Sequence, residues 1–183
     1  MMPVEPQEIL DFWFSEPVCN HWFASTPELD RQISDVYASL WGLASEGQLD
    51  HWMTTPEGCL ALVILLDQLP LNMFRNQPQS FQTEAQARAV AGFAIKREFD
   101  QVLTEQQRAF LYMPYMHSED LDDQDRSVAL YSQAGLADNL AFARHHREIV
   151  REYGRFPHRN AILGRPSTQE EKRYLASDGA FTG

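Results

Sequence analysis

The sequence predicts an all-α protein. Three observations carry that expectation: Thr-Pro-Glu strings at Thr26 and Thr55 open helical runs, apolar residues recur at helical spacing, and no sustained period-2 alternation or Asn-Gly or Asp-Gly hairpin turn separates β-branched runs. A length of 183 residues, 44% hydrophobic and 11% aromatic, suits a single domain over 1–183. A chain of this size can bury about 70% of its unfolded surface. Short turns between helices of ordinary length favour antiparallel helix pairs packed against one another. A tetratricopeptide repeat of about 34 residues does not recur.

A first helix is expected from Pro6 to Phe14, followed by a loop to Trp22 and Phe23. Thr26 caps the second, with Pro27 in its first turn and Glu28 matched to the unpaired amides there. Leu29, Ile33, Val36, Tyr37, Leu40, Trp41 and Ala44 keep its spacing and Gly47 stops it. Thr55, Pro56 and Glu57 repeat the opening, and Leu60 to Leu66 show no polar face, so this helix is central and is expected to end before Pro70. Capping boxes at Thr83 with Gln86 and at Thr104 with Gln107 start helices to about Arg97 and to a stop near Pro114. Ser118 or Asp120 caps a helix ending at Gly135, and Asp138 caps one carrying Phe142, His146, Ile149, Val150 and Tyr153 up to Gly154. A last helix opens at Thr168, boxed by Glu171, and the tail SDGAFTG from about residue 177 has no means of self-support.

A net charge of -11 repels nucleic-acid backbones and anionic lipid headgroups, so neither is an expected partner. The start MMPVEPQEIL is acidic where a signal peptide is basic. CLALVILL falls far short of the ~20 residues of a membrane span, which places the protein in the cytoplasm. Cys19 and Cys59 make no disulfide framework, and Cys59 reads as a small buried hydrophobe. His145 and His146 point about 100° apart on a helix. No His-x3-His or Cys-x2-Cys spacing occurs, so no metal is expected. Lys96 and Lys172 are the only lysines and no glycine-rich phosphate loop is present, which argues against nucleotide, nicotinamide or pyridoxal cofactors.

Four polar segments are not explained by helix economy: 11–14 (DFWF), 65–75 (LLDQLPLNMFR), 114–127 (PYMHSEDLDDQDRS) and 154–165 (GRFPHRNAILGR). Each joins aromatic or apolar anchors to side chains suited to charge-assisted hydrogen bonds. They nominate Trp13, Asp67, Gln68, Arg75, His117, Asp120, Gln124, Arg155, His158, Arg159 and Asn160 as ligand-binding residues. Pro157 prevents one helix through the last segment, so several donors emerge from a turn. Arg144, Arg147, Arg151, Arg155, Arg159 and Arg165 stand against Glu148 and Glu152, a local charge of +4, while Glu119, Asp120, Asp122, Asp123 and Asp125 form an acidic cluster. Guanidinium forks beside an imidazole suit a carboxylate or phosphate. The competing structural account pairs these arginines with the acidic cluster and leaves Ser118 or Asp120 as a helix cap. Asp67 then needs a cation such as Arg75 or Arg159.

Taken in order, these segments resemble the bacterial family known as domain of unknown function nine-two-four. The likeness spans nearly the whole chain and is most specific in TPEGCLALVILLDQLP, YMPYMHSEDLDDQDRS and YGRFPHRNAILGRPSTQEE. It implies a tetratricopeptide-like helical fold, here a degenerate stack. Leu71 stands where members commonly show arginine and Asn76 where they show glycine, so no role of that arginine carries over. The family supplies no reaction. The leading functional expectation is a binding protein for a small anionic molecule or carboxylate-bearing peptide. The alternatives are a hydrolase with His117 or His158 beside Asp120 as acid and base, and a protein-protein interaction scaffold.

Overall fold

A computed structural model describes residues 4–183. The protein is all-α, with no strand among the described residues and no described helix long and apolar enough to cross a membrane. The chain divides into two compact units: the described residues up to Arg75 with Gln79–Pro114, and Asn76–Pro78 with Tyr115–Gly183.

The first unit holds α1 (Pro6–Trp13), α2 (Pro27–Ser45), α3 (Pro56–Val63), α4 (Leu69–Met73), α5 (Glu84–Lys96) and most of α6 (Glu105–Met116). Thr26 and Thr55 cap α2 and α3 as expected, their hydroxyls accepting from the amides of Leu29 and Gly58. Thr104 and Gln107 cap α6 reciprocally. The run Leu60–Leu66 is buried all round, with α1 and α5 against α3. Gly58 is required by a close approach, since a Cβ there would lie 1.8 Å from the Trp52 carbonyl oxygen.

The central helix does not end before Pro70. It widens into a π-helical turn over Ile64–Gln68, where the Leu69 amide reaches the Ile64 carbonyl, and continues as α4 with Pro70 in its first turn. In an α-helix the Leu66 carbonyl would accept from residue 70, and proline has no N–H. The Thr83 hydroxyl donates to that carbonyl instead, at 2.6 Å, and accepts from Trp41 Nε1 at 3.1 Å. This is why the expected capping box at Thr83 is not formed. Thr83 makes no side-chain cap to α5, and Gln86 Nε2 donates to the Ala44 carbonyl at the end of α2. Pro114 likewise lies inside α6, which runs two residues further than the sequence suggests.

In the second unit, α7 (Leu121–Gln133) and α8 (Ala137–Tyr153) form a helical hairpin through a short turn in which Gly135 takes φ 70°. Asp120 caps α7, accepting from the amides of Asp122 and Asp123. Asp138 does not cap α8. The first bond of that helix runs from the Leu140 amide to the Leu136 carbonyl, which leaves Asp138 inside the first turn, matched to its dipole. Two short helices follow, α9 (Asn160–Leu163) and α10 (Gln169–Leu175), the latter capped by Thr168. Ile149, Val150 and Phe156 make a small core, flanked by Tyr153, Tyr174 and Phe181. Asn76 adopts φ 62°, a left-handed conformation that asparagine tolerates better than most non-glycine residues.

Candidate functional site

In the second unit the residues nominated from PYMHSEDLDDQDRS and GRFPHRNAILGR meet around one turn. Gln124 is wholly buried on α7, and its side-chain nitrogen donates to the carbonyls of Met116 and Ser118, each at 2.7 Å. Arg159 Nη2 donates to the His117 carbonyl between them at 3.0 Å. Three consecutive carbonyls are thus held by side chains, and the backbone carrying His117 is fixed. Arg159 is 6% exposed and lies over the Phe156 ring, 4.9 Å from guanidinium carbon to ring centre. His158 adjoins it, half-buried, its ring 5.8 Å from that of Phe156.

Beside this turn runs a continuous polar network. Arg155 grips the buried Glu171 through Nη2 at 2.9 Å and Nε at 3.3 Å, and also donates to the Pro166 carbonyl. The Asn160 amide donates to the same carboxylate and its oxygen accepts from Arg165 Nε at 3.0 Å. Arg165 in turn forks onto Glu119 at 2.8 and 2.9 Å, and Glu119 also accepts from the Phe156 amide. Burial alone would raise both carboxyl groups. For Glu171 the bonds from Arg155 and Asn160, and for Glu119 those from Arg165 and the Phe156 amide, outweigh burial and hold each below the usual carboxylate range. With their oxygens committed to guanidinium and amide donors, neither is a ready metal ligand. Arg155 and Asn160 therefore meet one carboxylate of the chain itself, that of Glu171.

His158 is surrounded by charges of both signs. Burial comes first in holding the imidazole down, to about 4; Arg159, His117 and Arg165 push the same way and Glu119 opposes them. His146 on α8 is lowered further, to about 3, by burial, with the charges of His117, His145 and His158 acting against the bond from Nδ1 to the Phe142 carbonyl. Asp120 serves as the α7 cap. Ser118 donates its hydroxyl to Asp123 Oδ2 at 2.7 Å and accepts from the Asp120 amide.

The nominated residues of the first unit occupy three places. Trp13 packs among Trp22 and Phe110, its carbonyl accepts from Trp22 Nε1 at 2.8 Å, and its own buried Nε1 has no hydrogen-bond partner. Asp67 and Gln68 sit on the π-helical turn, both buried, with Gln68 Nε2 donating to Asp67 Oδ2 at 2.8 Å. Arg75 does not serve Asp67. It forks onto Asp30 at 2.6 and 3.0 Å, and Asn72 and Ser25 donate to the same carboxylate. Those bonds, set against burial, hold Asp30 low. The second half of LLDQLPLNMFR thus ties α4 to the first turn of α2.

The pairing of Arg165 with Glu119 falls within the competing account of arginines on the acidic cluster, whereas sequence reasoning did not assign Asp30 and Glu171 their partners, and no local signal marks them. Asp30 and Arg75 are 45 positions apart and Glu119 and Arg165 are 46 apart, while Glu171 carried the signature of a capping residue.

The family model described as "Bacterial protein of unknown function (DUF924)" matches residues 9–179. Among solved structures, a protein of unknown function from Agrobacterium tumefaciens is similar, with 39% sequence identity and a TM-score of 0.87 over 93% of this chain and 96% of that one. No curated protein matches.

Proposed function

The chain belongs to the bacterial family DUF924, and within it we propose that this protein binds a small anion or a carboxylate-bearing peptide on the His117, His158 and Arg159 face of the second unit. One observation carries the reading: in a chain of net charge -11, the Arg159 guanidinium is fixed over the Phe156 ring beside the half-buried His158. A fixed guanidinium beside an imidazole offers an anion charge-assisted hydrogen bonds. Arg159, pinned on the Phe156 ring and the His117 carbonyl, loses little freedom when a ligand arrives. A neutral imidazole can donate one hydrogen bond to an anion without the cost of burying a second charge.

The hydrolase alternative draws less support. A base held near 4 is weakly driven to take a proton at neutral pH, Asp120 is occupied by two backbone amides, and the Ser118 hydroxyl donates to a carboxylate.

Thermal unfolding in the presence of inorganic phosphate, acetate and short peptides tests the proposal, comparing wild type with Arg159→Ala and the milder His158→Gln. A ligand at one hundred times its Kd adds about 2.7 kcal/mol. Wild type is expected to be stabilised and both variants less so. Equal shifts in all three proteins, or none in wild type, would reject the anion site.

A further inference from the structure

We propose that residues 180–183 form a strap that lies across His158 and shields it, and that anion binding on this face, as read above, requires the strap to move aside. The Phe181 ring stands nearly perpendicular to the His158 ring, 4.9 Å between centres, and also meets His146 at 4.6 Å. Gly183 continues the cover: a Cβ built there would lie 3.2 Å from His158 Cδ2 and 3.4 Å from Nε2, so the backbone itself runs along the imidazole edge. One segment thus meets His158 through a ring and through main chain, two residues apart.

The strap is tied lightly. The Phe181 amide donates to the Tyr174 hydroxyl at 2.8 Å and the Ala180 amide closes a local turn on the Ser177 carbonyl. Thr182 and Gly183 are exposed. The neighbouring turn is held much more firmly, by the forks of Arg155 and Arg165 on buried or half-buried carboxylates. Segments with few buried contacts and exposed backbone open at lower free energy than the structure around them, so this strap can lift while the network stays intact. Lifting it hydrates His158, which remains faced by Arg159, Arg165, His117 and Glu119; His146, beneath Phe181, keeps His145 and the Phe142 carbonyl as neighbours. Hydration favours the protonated form, so the strap and the charge state of His158 are linked.

Histidine ring titrations by NMR, together with the rate of His158 modification by diethyl pyrocarbonate, test the strap in wild type, in Phe181→Ala and in Tyr174→Phe. The last variant removes only the hydroxyl tie and serves if Phe181→Ala folds poorly. Loss of shielding is expected to raise the His158 pKa by about one unit or more and to speed its modification several-fold, with Tyr174→Phe moving the same way by less. An unchanged titration and modification rate in both variants would overturn the strap. Phosphate titration then reads the coupling: tighter binding to the variants supports displacement, and unchanged binding refutes it. Failure of phosphate to bind any of the three proteins counts against the anion site and leaves the shielding to be judged on titration and modification.

Discussion

Replacing Thr83 by valine keeps the shape of a 4% exposed side chain and removes its hydroxyl. Two buried polar groups lose their partner at once: the Leu66 carbonyl, which Pro70 cannot serve, and the Trp41 indole N–H. Each such orphan costs roughly 1–3 kcal/mol, which puts Thr83→Val at about 3 kcal/mol. For a chain of this length that lowers Tm by roughly 6–12 °C. Urea unfolding followed by tryptophan fluorescence measures the cost. A double-mutant cycle with Pro70→Ala, which restores an amide within reach of Leu66, isolates the role of the hydroxyl. The penalty of Thr83→Val should then shrink, with a coupling of about 1 kcal/mol. A penalty below about 0.5 kcal/mol, or one of the same size in both backgrounds, would show that the hydroxyl does not replace the missing amide of proline.

Gly58→Ala is expected to destabilise by about 2 kcal/mol or more, because the new methyl group meets the Trp52 carbonyl at 1.8 Å and backbone must move; calorimetric Tm equal to wild type would remove the close approach as the reason for glycine. The pH dependence of stability is expected to have two stages. His146 and His158, held at about 3 and about 4 against an ordinary 6.5, stabilise the fold fully above 6.5, and their contribution falls as the pH drops from there toward those values, by up to about 1.4 kcal/mol per pH unit for each. Asp30, Glu119 and Glu171, held low, add stability that is lost only in stronger acid, below the ordinary carboxylate range. Urea midpoints between pH 7 and 3 check this. His146→Leu should flatten the first stage and spare the second, and a wild-type curve flat from pH 6.5 to 5 would contradict the buried-imidazole account.

The parts of the fold that were legible in the sequence are those fixed by neighbours a few residues away. Thr26, Thr55, Thr104 and Thr168 cap because hydroxyl and amide are three positions apart, and Gly47, Gly135 and Gly154 stop helices because each residue alone must take a positive φ. Thr83 has the same local pattern as Thr104, yet its hydroxyl goes to Leu66, 17 positions back, because a proline there leaves a carbonyl to fill. The two prolines misread as stops, Pro70 and Pro114, fail as punctuation for a related reason. A helix interior tolerates proline when tertiary packing outweighs the lost bond, and at Pro70 the source of the replacement bond lies on another element. Of the candidate site, the gathering of His117, Gln124 and Arg159 followed from segment composition, while the assignment of Arg155 and Asn160 to Glu171 did not. That pairing depends on where α10 docks.

Of the two accounts offered by the sequence for its arginines, internal pairing is met by Arg155 and Arg165, and ligand binding is proposed for Arg159. Arg155 and Arg165 use planar forks on Glu171 and Glu119, and by doing so they fix the 155–165 turn in a shape that no run of helical propensity could impose across Pro157. Glu119 shows why the same pairing also bears on binding. Its two oxygens accept from Arg165 and from the Phe156 amide, and its charge favours a proton on His158 against Arg159 and Arg165. The ion pairs therefore do more than hold the turn. Glu119 is one of the charges that face His158, so its loss should alter stability and, at the proposed anion site, anion preference as well.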